Sequence, residues 1–387
     1  MGVGRSEDQD SATAGSTATR AALAGADARL LIVFCSDAYD LPTLLAAVRA
    51  EAPGVPLIGC STAGELAVAN DEANAGDTAV VVTALGGAGF SIATRHAIIE
   101  PGDAGLREAS FQAAGCVSDV ETRAHTVVMV LSDGLAGDQE EIVRGAYRAT
   151  GATVPLVGGC AGDDLKMTTT FQFHDDEVFT GAVVAATIAS DAPLGIGVRH
   201  GWRRVGDPMV VTHSDGNHLF TLDDQPALDT YLDRLGGPAD AYTDPAAFTR
   251  FALTHPLGLS RRSGEEVRFV AEADFDARSL VCIANVAKGG LAWFMEGDEA
   301  SVISATDDAC GEALLALGER PPLGMIAFDC IARRGVMGDD GIQREVGRLA
   351  SFATGAPVAG FYTYGEFART HGTTGFHNQT LVVLALG

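Results

Sequence analysis

The sequence predicts an α/β (α+β) protein of two domains, in which mixed or antiparallel sheets are flanked by helices. Two observations carry this prediction. A unit of strand, helix, loop and strand occurs three times, near residues 30–86, 125–189 and 323–386, which indicates an internal pseudo-repeat. The chain has 387 residues, of which 47% are hydrophobic, and this is enough to build the cores of two domains.

Three similar loops mark the repeat. Their sequences are PLIGCSTAGEL (residues 56–66), PLVGGCAGDDL (155–165) and PVAGFYTYGEF (357–367). Each starts with Pro, has Gly three residues later and an acid nine residues later, and these acids are Glu65, Asp164 and Glu366. We expect each loop at the carboxyl end of a strand, which is where open α/β sheets bind their ligands.

The elements around the three loops follow one order. Ahead of each loop, apolar residues recur at three- and four-residue spacing, which predicts a helix, and a short apolar strand precedes that helix. A polar turn and a β-rich run follow each loop. Residues 195–296 are typical of hairpins and β ribbons instead. We predict a flexible tail over residues 1–25, an N-terminal domain over 26–221 and a C-terminal domain over 222–387.

The charge and the cysteines limit the possible partners. The net charge is −25, with 26 basic and 51 acidic residues, so the surface repels nucleic acid and anionic membranes. No apolar run approaches the ~18 residues that cross a bilayer. The seven cysteines form no Cys-x-x-Cys pair, which favours reduced thiols and a cytoplasmic location.

Several motifs resemble the FIST domain proteins, in one order along nearly the whole chain. They are IGCSTAGE (58–65), GGCAGDDLK (158–166), LDDQPALDTY (222–231), FDCIARRG (328–335), PVAGFYTYGEF (357–367) and FHNQTLVVLAL (376–386). The resemblance implies a bacterial sensory domain that binds small ligands such as amino acids. It also implies signalling in trans to a partner such as a histidine kinase, a cyclase or a chemoreceptor, and no enzymatic activity.

We expect the ligand contacts to come from the three loops and the segments beside them. The candidate residues are Cys60, Ser61, Thr62, Gly64, Glu65, Gly159, Cys160, Asp163, Asp164, Arg333, Tyr362, Tyr364, Gly365, Glu366, His377 and Asn378. Arg333 would hold a carboxylate of the ligand in bidentate fashion, and one of the acids would hold its amine. The competing interpretation is that each acid caps its own turn and that Arg333 forms a surface ion pair.

Two further functions stay open at the level of the sequence. Some FIST proteins bind haem and sense nitric oxide, so haem is a possible cofactor although none is otherwise expected. Covalent haem is excluded because the chain has no Cys-x-x-Cys-His motif. A hydrolase with Cys60 or Ser61 as nucleophile is the other alternative, although neither residue has a His nearby in sequence to act as its base. We predict no metal site.

Overall fold

Three copies of one arrangement make up most of the protein, as seen in a computed structural model that describes residues 1–25, 27–69, 72–76, 78–261, 264–370 and 375–387. The first unit comprises β1 (Gly2–Ser6), α1 (Ser11–Leu23), β2 (Ala28–Ser36), α2 (Leu41–Glu51), β3 (Leu57–Thr62), β4 (Glu65–Ala69), β5 (Glu72–Gly76) and β6 (Val80–Gly86). The second comprises β7 (Phe90–Ile98), α3 (Asp103–Ala114), β8 (His125–Ser132), α4 (Glu140–Thr150), β9 (Leu156–Cys160), β10 (Gln172–His174), β11 (Glu177–Phe179) and β12 (Ala182–Ser190).

The third unit begins with β13 (Leu194–Arg199) and is then interrupted by an inserted subdomain, residues 200–298. The insertion comprises β14 (Arg203–Asp215), β15 (His218–Leu222), β16 (Gln225–Pro226), α5 (Ala227–Leu235), α6 (Pro245–Ala252), β17 (Leu257–Arg261), β18 (Gly264–Arg268), β19 (Val270–Asp274), β20 (Ser279–Cys282) and β21 (Leu291–Glu296). The unit resumes with α7 (Glu299–Leu315), β22 (Gly324–Cys330), α8 (Ile331–Ala353), β23 (Val358–Thr363), β24 (Glu366–Arg369), β25 (Phe376–His377) and β26 (Leu381–Leu386).

Each unit forms a mixed sheet with the same strand order, which confirms the predicted fold class. The orders are β1-β6-β2-β3-β10-β11 in the first sheet, β7-β12-β8-β9-β24-β25 in the second and β13-β26-β22-β23-β4-β5 in the third. In each unit, the two strands before and after the second helix pair in parallel, namely β2 with β3, β8 with β9 and β22 with β23. The last strand of the unit pairs antiparallel with the earlier of these two strands, namely β6 with β2, β12 with β8 and β26 with β22. The repeat seen in the sequence is therefore a threefold pseudo-symmetry of the fold.

The units exchange hairpins in a cycle. The hairpin β4–β5 of the first unit joins the third sheet, β10–β11 of the second unit joins the first sheet, and β24–β25 of the third unit joins the second sheet. Each Pro-Gly loop is the place where the chain leaves its own sheet for another. The three units consequently cannot separate as independent domains, and the boundary between residues 221 and 222 stays a prediction.

The apolar residues form a central core and an outer core behind each sheet. In the centre the three sheets contact one another, and the rings of Phe34 and Phe361 pack with their centroids 4.5 Å apart while Phe328 meets both edge-on. The outer cores lie between each sheet and its two helices. The insertion has a core of its own, which includes Tyr231 and Phe248.

The prediction of a flexible tail over residues 1–25 is wrong. Residues 2–6 form β1, which pairs with β6, and α1 packs on it after an N-cap at Asp10. The segment is poor in large apolar residues because the strand and the helix touch backbone to backbone. An added Cβ at Gly4 would lie 2.0 Å from the carbonyl oxygen of Ala18. The small residues of this segment reflect close packing, whereas an argument from composition takes the shortage of large apolar residues as a sign of disorder.

None of the helices in the described part of the chain combines the length and the apolar character that crossing a bilayer requires.

Candidate functional site

The three Pro-Gly loops meet one another at the carboxyl ends of the parallel strands. The Ser61 hydroxyl donates to the carbonyl of Gly162 at 2.7 Å, the amide of Ala63 donates to the carbonyl of Tyr362 at 3.1 Å, and the amide of Cys160 donates to the carbonyl of Gly365 at 2.8 Å. Each contact joins two different units. The loops thus close the fold around its pseudo-threefold axis, and whether their backbone also contacts a ligand stays a prediction.

The first and third loops are tight crossings between two sheets. Only two residues separate β3 from β4, and only two separate β23 from β24. Gly64 and Gly365 adopt φ values of 116° and 153°, which favour glycine. A Cβ at Gly64 would also lie 2.7 Å from a guanidinium nitrogen of Arg334, and a Cβ at Gly365 would lie 2.4 Å from the ring of Phe376. The conformation and the crowding together require these glycines.

Glu65 and Glu366 play the same part in these two crossings. Each is fully buried and is hydrogen-bonded to the threonine three residues before it, Thr62 or Thr363. The second carboxyl oxygen accepts from a backbone amide fourteen residues later, at 3.0 Å from Ala79 for Glu65 and at 3.2 Å from Thr380 for Glu366. Glu65 lies on the third sheet and Glu366 on the second, so each of these acids serves its own crossing, as the competing interpretation expected.

Burial raises the pKa of Glu65 to about 8 and that of Glu366 to about 7, although threonine and backbone donors act against it. A protonated Glu65 can donate to the oxygen of Thr62, whose own hydroxyl lies 3.4 Å from the carbonyl of Cys35. Both acids therefore keep a proton to a higher pH than an exposed glutamate does, and Glu65 is mostly neutral at pH 7.

A stability test follows from Glu65. Its pKa is near 4.5 in the unfolded chain, so between about pH 4.5 and 8 the folded state binds the extra proton and stability falls as the pH rises. The loss is at most about 1.4 kcal/mol per pH unit. Glu65→Gln, whose amide mimics the protonated acid, should remove this part of the pH dependence. Urea unfolding at pH 6 and pH 8 measures it.

The matched control for this test is Asp207→Asn, which changes an exposed acid in the same way. The control keeps Glu65, so the loss of stability that Glu65 causes between pH 6 and pH 8 should persist in it. Equal slopes for Glu65→Gln and for the unmodified protein would show that Glu65 is charged in the folded state.

Asp164 was predicted as the acid of the second loop, but the buried acid there is Asp163. The Asp163 carboxylate accepts from the amides of Met167, Thr168 and Thr169 at 2.7 to 3.0 Å, and Asp164 is exposed. The matched offset fails because the second unit does not cross directly into its hairpin. β9 ends at residue 160 and β10 begins at residue 172, so the chain makes a longer loop first.

Neither proposed nucleophile is poised for hydrolysis. The Cys60 thiol is fully buried, and burial, followed by the charges of Cys35, Cys160 and Glu65, raises its pKa well above the usual value, so it carries no thiolate at neutral pH. The Ser61 oxygen accepts from the amide of Phe171 at 2.9 Å and donates within the loops, so its proton faces a carbonyl instead of a base. The hydrolase alternative does not fit these two residues.

Arg333 is fully buried, which contradicts both of the roles expected for it. Its Nε donates to Asp329 at 2.6 Å, and one terminal nitrogen donates to Glu345 at 2.5 Å and to Thr306 at 3.0 Å. The other terminal nitrogen lies 3.5 Å from the carbonyl of His200. A guanidinium that two acids of its own chain already hold is not available to the carboxylate of a ligand, and it forms no surface ion pair.

Two carboxyl groups contact the single guanidinium of Arg333. Burial, and next the charge of Glu345, raise the pKa of Asp329 well above its usual value, whereas Arg333 lowers it. The remaining oxygens, Asp329 Oδ2 and Glu345 Oε2, have no N–H or O–H donor among the described residues. This cluster of two acids and one guanidinium (the acid pair and Arg333 below) is therefore neutral when it keeps one proton, and the raised pKa of Asp329 favours that state.

The cluster spans a kink in α8. Residue Gly338 has φ 63° and ψ −179°, so α8 consists of two helical segments, with Arg333 on the first and Glu345 on the second. Tyr362 of the third loop lies close to it, since Glu345 and Asp329 are the charges that, after burial, raise the pKa of Tyr362. The Tyr362 hydroxyl has no partner among the described residues. Of the predicted residues, Arg333 and Tyr362 thus come together here.

The inserted subdomain covers this end of the third unit. The indole nitrogen of Trp202 donates to the carbonyl of Gln379 at 3.0 Å, and the Gln379 side chain donates to the carbonyl of Leu253 at 3.0 Å. The insertion occupies residues 200–298, whereas the first two units have only residues 7–10 and 99–102 at the same place. Predicted residue His377 lies at the same end, bonded through Nε2 to the carbonyl of Ala368 at 3.0 Å.

The fold itself does not demand the acid pair. In the parallel registers, Asp329 lies opposite Tyr362, and the equivalent positions hold Cys35 opposite Ser61 in the first unit. The second unit has Ser132 opposite Cys160. Two of three symmetry-related sites therefore close with small side chains, and only the third contains a buried ionic cluster.

The sequence analysis did not identify Asp329 and Glu345 as candidate site residues. Asp329 precedes Arg333 by four residues, across the junction of β22 and α8, and an acid so close in sequence to the arginine was a usable signal. Glu345 reaches Arg333 only through the kink at Gly338, which periodicity does not reveal. Asn378 was predicted, and its side-chain oxygen is buried without a partner among the described residues.

A surface cleft elsewhere is a weaker candidate. A volume of about 540 Å³ lies between β7, α3 and α4, and Arg95 and Arg148 line it. Arg95 is bound to Asp119 at 2.6 Å and Arg148 lies 3.5 Å from Glu108, so the acids beside them neutralise their charges. The cleft contains none of the predicted residues. In the described part of the chain, no three His, Cys, Asp or Glu side chains gather as a metal site.

Comparison with known proteins gives the relationships of the chain. A family model described as the FIST N domain matches residues 29–225, and one described as the FIST C domain matches residues 227–369. Uncharacterized proteins of two Mycobacterium tuberculosis strains, H37Rv and CDC 1551, are each 24% identical over 396 residues, covering 98% of this chain and 97% of the relative. An uncharacterized protein of Methanocaldococcus jannaschii is 27% identical over 166 residues, which are 40% of this chain but only 32% of that protein.

Proposed function

Because the chain belongs to the FIST family, whose domains are associated with sensory signal transduction, we propose that it senses a small molecule that carries an amine. The ligand is an amino acid or a related compound. Its ammonium group binds at the acid pair and Arg333, beneath the inserted subdomain, and the signal passes in trans to a partner such as a histidine kinase, a cyclase or a chemoreceptor.

One observation carries the proposal. The pseudo-symmetry provides three equivalent positions, and Cys35 and Ser132 fill two of them where the third has Asp329. A buried ionic cluster is costly and adds little net stability compared with apolar packing. Its presence at one position of three, under the only unit with an insertion of this size in the described chain, supports a role in binding.

The charges of the cluster favour an amine. Two carboxyl groups face one guanidinium, so the cluster retains a proton to stay neutral. An ammonium group brings one positive charge and three N–H donors, and it can replace that proton while giving Asp329 Oδ2 and Glu345 Oε2 the donors they lack. Binding then releases a proton, so the apparent affinity should rise with pH.

The experiment is a thermal-shift screen of the full chain with matched sets of three compounds. Each set contains an amino acid, the amine that lacks its carboxyl group and the carboxylic acid that lacks its amine. A ligand of the folded state at a hundredfold excess over its Kd adds about 2.7 kcal/mol of stability. We expect shifts from amine-bearing compounds and none from the acids.

Two results of the screen would contradict the proposal. Thermal shifts from the carboxylic acids alone would mean that a cationic side chain of the protein, and not the acid pair, recognises the ligand. A shift with haemin alone, accompanied by a Soret band, would favour the haem-binding alternative.

A further inference from the structure

The second Pro-Gly loop continues into a segment, residues 163–169, whose backbone is strained. Asp164, Leu165 and Met167 adopt φ values of 54°, 60° and 53°, and none of them is glycine. This left-handed region is sparsely populated by residues with a side chain, and Leu and Met gain nothing from it. We call this segment the projecting loop. Three such residues within four positions persist only where the surroundings hold them.

The buried Asp163 and the half-buried Tyr364 hold the projecting loop in place. The Asp163 carboxylate accepts from three amides of the loop, as described above, and from the hydroxyl of Thr168 at 3.1 Å. The Tyr364 hydroxyl donates to Asp163 at 2.5 Å and accepts from the amide of Leu165 at 2.6 Å. Lys166 is fixed outside by Asp37 at 2.6 Å. The strained conformation is thus built by three separate interactions.

What this conformation does is display two apolar side chains. Leu165 is 61% exposed and Met167 is 58% exposed. The first and third units have no counterpart, because they pass from the loop into the next strand after two residues. The projecting loop is therefore not required by the repeat, and its strain maintains an exposure that water disfavours.

We propose that the projecting loop is the docking element for a partner protein, with Leu165 and Met167 entering an apolar pocket whose border is basic. The charges decide the partner's chemistry. Asp164 is exposed beside the two apolar residues, Lys166 is neutralised by Asp37, and the whole chain carries a net charge of −25. A second copy of this chain would be repelled, whereas a basic border would be attracted.

The projecting loop is also connected to the proposed ligand site. Tyr362 lies beside the acid pair, and Tyr364, two residues later in the same loop, holds Asp163 and Leu165. The identification of the docked partner as the receiver of the signal rests on the proposed function. The docking itself does not.

The experiment places a photo-crosslinking amino acid at position 167 of the full chain, or at position 315 as a control, in cells that naturally express the protein. Leu315 is 81% exposed and lies on α7, away from the loops. A protein crosslinked from position 167 only is identified and purified. Its affinity is then measured for the unmodified chain, for Leu165→Asn with Met167→Asn, and for Leu315→Asn.

We expect at least about a tenfold weaker affinity for the double variant, equivalent to about 1.4 kcal/mol, and no change for Leu315→Asn. Binding should also weaken as salt screens the charges. Because Asn tolerates the left-handed region, the double variant should unfold at the same or a higher denaturant concentration. A merely structural role of the loop predicts no change in affinity.

Three results would overturn the proposal: equal crosslinking from both positions, an affinity that the double variant leaves unchanged, and a crosslink from position 167 to a second copy of this chain. The amine screen separates this failure from failure of the proposed function. If the double variant still shows the thermal shift with amines, the ligand site stands while the docking element is lost.

Discussion

Replacing Arg333 by Ala is expected to lower the free energy of unfolding by about 3–5 kcal/mol, the range found when one partner of a buried ion pair is removed. The variant leaves Asp329 and Glu345 buried without the guanidinium that balances their negative charge. Urea unfolding of the full chain measures the effect. Arg199→Ala is the matched control, because Arg199 pairs with Glu312 at the surface and its loss should cost no more than about 1 kcal/mol.

A second variant identifies the cause of the instability. Adding Asp329→Asn to Arg333→Ala removes the negative charge that Arg333 balanced, so part of the lost stability should return. If Arg333→Ala costs no more than the control, the cluster is not a buried ionic network in the folded protein. If the double variant recovers nothing, packing of the Arg333 side chain and not its charge explains the loss.

Glu345→Gln should weaken the binding of an amine by about 10- to 100-fold, which corresponds to the loss of one charge-assisted hydrogen bond of about 1.5–3 kcal/mol. Arg333 then balances Asp329 alone, so the cluster is neutral without a proton and has no charge left for an ammonium. For the same reason the variant should stay folded. The measurement is titration calorimetry with the amine that gives the largest thermal shift.

The control for Glu345→Gln is Glu65→Gln. It makes the same replacement at another fully buried acid, which serves a crossing between sheets and lies outside the proposed site. Its affinity for the amine should equal that of the unmodified chain. Equal losses in both variants would mean that the effect reflects general destabilisation, and no loss in either would remove Glu345 from the site.

The repeat was visible in the sequence because its cause is local. Gly59, Gly158 and Gly360 stand at one position of the three parallel strands, where an added Cβ would lie 1.8 to 2.3 Å from a carbonyl oxygen of the neighbouring strand. The same steric demand acts three times and leaves the same pattern. The helices and strands around it follow from periodicity in the same way.

The exchange of hairpins could not be predicted, because it depends on pairing between distant segments. β4 pairs with β23 almost three hundred residues later, and nothing in either strand specifies the partner. This exchange of hairpins also determines where the acids of the first and third loops lie. Glu65 and Glu366 have the same spacing from the Pro of their loops because each is buried where the chain crosses from one sheet to another. Since the two crossings lead to different sheets, the two acids lie on different sheets.

The candidate site was only half predicted for a related reason. Arg333 stood out as a cation at the end of an apolar strand, but its partner Glu345 is brought near by the kink at Gly338. Analysis of the local sequence therefore treated Arg333 as available for binding and assigned it the carboxylate of a ligand. With Glu345 in place the charge balance reverses, and the cluster favours a cationic ligand.

Proton release tests the central claim most directly. Titration calorimetry of the full chain with the amine from the screen, in two buffers of equal pH and different ionisation enthalpy, counts the protons exchanged on binding. Because the ammonium would replace the proton that the raised pKa of Asp329 retains, we expect the release of about one proton near pH 7 and tighter binding at higher pH. Binding without proton release, at an affinity independent of pH, would contradict the account.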